Sequence, residues 1–256
     1  MKHARLRVAQ AAMIAGLSVA SLLVVWIGAF LGAFAAGGAG FAFALAASAI
    51  WLHVLDPLHT TAMVVASGTL LHGLLIWPIR RSIDIARLWP FMAGAAFGIP
   101  AGVALLSHTR PEIIRSAIGG FLVAYGLYAL AAPQLPYFGR GGRAADALAG
   151  FAGGVLGGLG GYSGVLPTIW TQIRGWPKEV ARGVYQPFIV FAQVVTLAII
   201  VTITIDRAGI VLFATILPAL AAGTWLGLRV YGRLNDRRFR QVLSVMLLLS
   251  GLTLFA

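Results

Sequence analysis

The side chains able to ionise, ligate a metal or attack are few, and their spacing is informative. All seven carboxylates (Asp56, Asp84, Glu112, Asp146, Glu179, Asp206 and Asp236) and all nineteen Lys and Arg fall at the ends of apolar segments or in connections. His72 is the one titratable group in mid-segment. Cysteine is absent, which removes disulfides, thiolate metal sites, Fe–S clusters and Cys nucleophiles. No nucleotide-binding loop and no metal-ligand cluster is present, so neither cofactor nor metal is expected. A cation site at membrane depth needs carboxylates or many carbonyls, and mid-segment carboxylates are lacking, so an anionic or neutral solute is expected. The groups left are neutral: Tyr162, Ser163, Thr168, Gln186 and Gln193. Their hydroxyls and amides donate to oxyanion oxygens, and Gln186 and Gln193, seven apart, share one helix face.

Two glycine-rich tracts would place such donors. The first runs Gly28-Ala-Phe-Leu-Gly32-Ala-Phe-Ala-Ala-Gly37-Gly38-Ala39-Gly40-Phe41. The second runs Gly150-Phe-Ala-Gly-Gly154-Val-Leu-Gly157-Gly158-Leu-Gly160-Gly161-Tyr162-Ser163-Gly164. Each precedes a Trp and then a Pro-containing charged turn, Trp51 with Asp56-Pro57 and Trp170 with Trp176-Pro177. Each Gly weakens a helix by ~1 kcal/mol relative to Ala, so a cluster invites a break. A helix restarting after a break presents unpaired N–H groups and a positive dipole end, both attractive to an anion. Matching broken segments in two halves of a chain point to a transporter site. The substrate-binding set expected is therefore Gly38, Ala39 and Gly40 at one break, Gly160, Gly161, Tyr162, Ser163 and Thr168 at the other, with Gln186, Gln193 and His72.

Each choice has a plainer alternative. The glycines serve close packing, as Gly94-xxx-Gly98-xxx-Gly102 and Gly223-xxx-Gly227 do, within one chain or in a homodimer. The glutamines bridge helices, Ser163 bonds its own backbone, and His72 is a neutral bridge or a proton carrier. Trp51, Trp77, Trp89, Trp170 and Trp176 lie near segment ends and read as an interfacial belt.

The elements that must hold these residues follow from composition. Hydrophobic residues are 60%, charged residues 10% and mean hydropathy is +0.92, whereas an ordinary soluble domain is roughly a quarter charged. An all-α polytopic membrane protein is predicted, its main partner the lipid bilayer. The net charge of +12 does not argue for nucleic acid, because no basic run is interleaved with aromatics. Apolar segments cover about 8–36, 37–52, 59–77, 88–107, 112–132, 146–173, 183–205, 208–228 and 239–256. The first is too long for a signal core of ~7–15 residues and reads as retained. If 8–52 and 146–173 each cross once, Lys and Arg divide 9 to 10 between the two sides. If each enters and returns, the division is 13 to 6, which satisfies the positive-inside rule. The fold expected is thus two inverted four-segment repeats, each opening with a Gly-rich broken or re-entrant helix: 1–133, a basic linker 134–145, and 146–256.

On these residues the chain resembles the sulfite exporter family of TauE/SafE type, also called toluene-sulfonate uptake permeases. The resemblance rests on the four-plus-four segments, the glycine run from Gly150 to Pro167, and the turn Pro177-Lys178-Glu179-Val180-Ala181. In the first half, Gly38-Ala39-Gly40 with no following Pro departs from the family pattern. The resemblance implies a secondary transporter, not an enzyme, carrying small sulfur-containing anions such as sulfite, sulfoacetate or other organosulfonates, often outward, in the bacterial inner membrane. Two rivals stand beside it. One is an anion channel or a structural membrane subunit. The other is a rhomboid-like serine protease, suggested by Gly161-Tyr162-Ser163-Gly164 but lacking a His after His108.

Overall fold

The computed structural model describes residues 18–39, 42–131, 137, 141–204, 207–231 and 236–255. These residues form ten α-helices and no strand. In chain order they are α1 (Val19–Ala39), α2 (Phe43–Trp51), α3 (Pro57–Ile76), α4 (Ile85–His108), α5 (Pro111–Ala131), α6 (Gly142–Gly160), α7 (Val165–Ile173), α8 (Lys178–Thr204), α9 (Arg207–Tyr231) and α10 (Asp236–Thr253). A short 3-10 turn, Trp77–Ser82, follows α3. Six of the helices (α1, α3, α4, α5, α8 and α9) are long and apolar enough to cross a bilayer. Polar caps set several starts. Asp56 accepts from the Leu58 and His59 amides with Pro57 in the first turn, and Asp84 accepts from the Arg87 amide. Helices α3 and α4 therefore begin two or three residues earlier than the apolar runs suggest.

Both glycine tracts break, and both also pack. Gly28 and Gly32 lie under the side chains of Trp51, Phe43 and Ala47, so the nine-residue α2 folds back antiparallel onto α1. In the second tract the helix stays regular through Gly160, and the break is confined to residues 161–164. Short α7 then returns along α6, with Pro167 beside Gly153 and Ser163 beside Gly157. Nine residues at ~1.5 Å each reach only about 14 Å, too little to cross a ~30 Å core, so α2 and α7 are returning arms.

Glycine contacts also fix the running directions of the long helices. A methyl group at Gly94, Gly98 or Gly102 of α4 would fall on the Ala147, Phe151 or Val155 carbonyl of α6. Reciprocally, Gly150, Gly154 and Gly158 meet the backbone at Phe91, Ala95 and Ile99. Positions advance together, so α4 and α6 run parallel with backbones in contact. The same holds for α1 and α9, where Gly223 and Gly227 sit on the Phe30 and Phe34 carbonyls. These small-residue faces are thus used inside the chain rather than between two copies. Helices α5 and α10 run antiparallel, with Gly119 at Gly251 and Gly126 at Ser244. So do α3 and α8, with Gly68 at Gln193 and His59 Nε2 3.4 Å from Thr204 Oγ1.

Two of the tryptophans expected in an interfacial belt also serve as hydrogen-bond donors inside the fold. Trp51 is fully buried, and its Nε1 donates to the Val25 carbonyl at 2.8 Å. Trp170 donates to Asp146 Oδ1 at 2.7 Å. Each pins a returning arm to its long helix, since a buried indole N–H needs an acceptor. Trp77 and Trp89 remain exposed, as a belt requires.

Candidate functional site

The second break is built by helix-capping chemistry. The Gly161 N–H donates to the Gly157 carbonyl at 2.7 Å and the Tyr162 N–H to the Leu156 carbonyl at 3.1 Å. Gly161 itself takes φ +79°, the left-handed conformation such a C-cap needs. The amides of Gly161 and Tyr162 are therefore spent on closing α6. Gly160 is covered by the ring of Tyr162. The start of α7 is largely satisfied as well. The Val165 N–H donates to the Tyr162 carbonyl at 3.2 Å and the Thr168 N–H to the Gly164 carbonyl at 3.1 Å. Pro167 has no N–H, so the Leu166 N–H is the first-turn amide left without a helical acceptor. All residues from Gly160 to Val165 are buried, the condition under which irregular backbone survives at membrane depth.

Tyr162 joins the two broken elements. Its hydroxyl donates to Ser48 Oγ on α2 at 2.6 Å, and Ser48 Oγ in turn donates to the Ala44 carbonyl. The Tyr162 ring also packs on Phe121 of α5, with centroids 5.2 Å apart. On the other side the break rests on α3, where Gly161 faces Val64 and Thr61 Oγ1 donates to the Leu159 carbonyl at 3.2 Å. At the first break, Gly38 and Ala39 are the last residues of α1, and Gly40 lies outside the described residues.

The neutral donors separate into two groups. Ser163 Oγ, Thr168 Oγ1 and Gln186 Nε2 are buried with no hydrogen-bond partner. Buried polar atoms are almost always paired, so such atoms ask what they bind. Tyr162, Gln193 and His72 instead bridge elements. His72 Nδ1 lies 2.9 Å from the Gly68 carbonyl and 3.2 Å from Gln193 Oε1, linking α3 to α8.

Four further residues belong with the site that sequence reasoning did not single out. Thr60 and Ser67 on α3 and Thr196 on α8 are buried with unpartnered hydroxyls, and Ser48 receives the Tyr162 bond. A Ser or Thr in an apolar helix usually satisfies its hydroxyl on the carbonyl four residues back, as Ser48, Thr61, Thr69 and Thr224 do here. Nothing local in the sequence separates those from the ones left open. Helix α8 packs on both α3 and α7, so the elements that carry the open donors share α8 as a neighbour. The buried carboxylate Asp146 is remote, roughly 21 Å along α6 from Gly160 at 1.5 Å per residue. It is held by Trp170 and by Arg174, whose Nε is 3.9 Å away. The break thus has no nearby carboxylate on the same helix.

A cleft of about 450 Å³ lies elsewhere, between α3, α8, α9 and the α2–α3 connection. It is lined by apolar groups such as Ala66, Leu197 and Phe213, with Asp56, His59 and Thr204 as its polar members. It uses the face of α3 opposite Val64 and Gly68 but shares the α8 stripe that continues to Gln193. Asp56, at its rim, feels burial pushing its pKa up. The bonds from His59 and the backbone amides of His59 and Leu58 outweigh this and hold it below its ordinary value.

Compared with known proteins, residues 22–254 match the family described as sulfite exporter TauE/SafE. No curated protein and no solved structure matches the chain.

Proposed function

Because the chain belongs to the sulfite exporter TauE/SafE family and is a multi-pass membrane protein of a transporter family, we propose that it is a secondary carrier of small sulfur-containing anions, sulfite, sulfoacetate or other organosulfonates. The reading places it in a bacterial inner membrane, moving its substrate outward. Its two halves, 1–133 and 146–256, act as inverted repeats joined by the basic linker 134–145. The running directions support this, since each half consists of a returning pair (α1–α2, α6–α7) and three long helices. Equivalent pairs also pack alike: α1 on α9 as α6 on α4, and α3 on α8 and α5 on α10 antiparallel.

The observation that carries the reading is the Tyr162–Ser48 hydrogen bond, which ties the second break to α2, the returning arm of the first half, in a protein that leaves several buried neutral donors unpartnered. Neutral donors suit turnover. They replace part of an anion's hydration without the deep well that a buried Arg would create. Ser163, Thr168 and Gln186, with the Leu166 N–H of α7, are the groups assigned to the anion. An inside-negative potential drives one negative charge outward by about 2.3 kcal/mol per 100 mV, so export of a monoanion requires no coupled ion.

Thermal unfolding of the purified protein with sulfite, sulfoacetate, isethionate, taurine, thiosulfate and simple carboxylates tests the substrate class. A bound anion stabilises by RT ln(1 + [L]/Kd), so sulfonates or sulfite should raise Tm above the carboxylates. Proteoliposome flux at imposed potentials tests direction and coupling. Saturable, voltage-dependent flux is expected. Flux indifferent to voltage would refute electrogenic export.

A further inference from the structure

The two buried glutamines are each gripped by a group that can only donate. Arg182, on the first turns of α8, directs Nε–H at Gln186 Oε1, 3.2 Å away. A guanidinium has no acceptor, so the carboxamide atom facing it must be the oxygen. That leaves Gln186 Nε2 turned away from Arg182, buried and without a partner. At Gln193 the same logic runs through His72. Its Nδ1 lies within 2.9 Å of the Gly68 carbonyl, which only accepts, so Nδ1 carries a hydrogen in the neutral tautomer and in the imidazolium alike. Gln193 therefore turns its oxygen to His72 at 3.2 Å, and its Nε2 lies over the bare face of Gly68.

From this geometry we infer that Arg182 and His72 are positioning residues that fix the polarity of the glutamines. With both carboxamide oxygens held, Gln186 can offer only N–H to the interior, and Gln193 is held in the same sense. Left free, an amide turns its oxygen to a cation as readily as its nitrogen to an anion. Locked in this way, it discriminates by charge sign without placing a full charge beside the path. The inference rests on the anion-carrier reading and adds to it the device that makes these neutral groups anion-selective. It also gives Arg182 a purpose within α8 other than surface charge, since it contacts the amide one helical turn ahead.

The test uses full-length protein, with sulfite and sulfoacetate as probes. Gln186→Glu keeps an oxygen for Arg182 and makes that bond charge-assisted, but has no N–H to give. Gln186→Met removes the donor without adding charge. Both should weaken the apparent probe affinity by tenfold or more, while the ligand-free Tm of Gln186→Glu stays at or above wild type. Arg182→Lys retains a donor-only partner and should bind within about threefold of wild type. Arg182→Glu accepts from the amide N–H and so turns the oxygen inward; it should lose binding by more than the uncharged Arg182→Met. Gln186→Glu and Gln186→Met binding like wild type would overturn the inference, as would Arg182→Glu binding no worse than Arg182→Met. Wild-type protein indifferent to every anion in the panel would instead overturn the carrier reading and this inference with it.

Discussion

The break after α6 can be tested by replacing one hydrogen atom with a methyl group. Gly161 has φ +79°, and a Cβ there would sit 2.5 Å from Val64 Cγ1 on α3. Gly161→Ala therefore incurs two costs. The left-handed conformation costs a non-glycine residue roughly 1–2 kcal/mol. Forcing a methyl into a filled interface adds about 1–3 kcal/mol. The sum, about 2–5 kcal/mol, is large against ordinary stabilities. Two controls separate the contributions. Gly142, at the start of α6, also has positive φ, +57°, but nothing lies within 4 Å of its Cβ position, so Gly142→Ala should show the conformational cost alone. Gly73 on α3 has no positive φ and the same open space, so Gly73→Ala should be neutral or stabilise by up to ~1 kcal/mol. At about 2–4 °C per kcal/mol for a chain of this order, thermal unfolding should rank Gly73→Ala highest, Gly142→Ala a few degrees below wild type and Gly161→Ala lowest. A Gly161→Ala protein melting no lower than Gly142→Ala would refute the packing of the break against α3.

Other perturbations give distinct signatures. Trp170→Phe strips a buried carboxylate, Asp146, of its closest donor and should cost about 1.5–3 kcal/mol by thermal unfolding, whereas a belt tryptophan would cost little. Gly98→Ala would drive a methyl into the Phe151 carbonyl where α4 and α6 touch, and a backbone atom cannot step aside. Size-exclusion chromatography should show loss of monodisperse protein, and a normal profile would argue against the α4–α6 contact. Asp56 has a folded pKa below its ordinary 3.8, so its contribution is complete above pH 3.8 and is lost as pH falls through the folded value. The Tm gap between wild type and Asp56→Asn should accordingly close as pH falls below about 3.8; a gap that widens on acidification below that value would reverse the assigned sign.

Much of this architecture is written in one-dimensional patterns. Runs of apolar residues with charges confined to their ends specify helices that cross a bilayer, because a buried charge is costly wherever it lies along the run. The Lys and Arg asymmetry selects returning arms at 8–52 and 146–173 over single crossings, since orientation responds to charge counts per connection. Duplication of the glycine tracts marks where the helices break.

Which glycines break a helix and which let another backbone approach was decided only in three dimensions. Gly150, Gly154 and Gly158 stay helical because α4 fills their bare side, while Gly161 turns left-handed to cap α6 over α3. The same holds for the polar groups. Trp51 and Trp170 carry end-of-segment signals identical to those of Trp77, yet two find buried acceptors and the third faces outward. Ser48 and Tyr162 are 114 residues apart, and His72 and Gln193 are 121 apart. Periodicity and composition act over a turn or a span, so they determine what each segment is. A hydrogen bond acts over about 3 Å between atoms whose neighbourhood exists only once helices from both halves have packed, and that packing alone settled which donors were satisfied and which were left open.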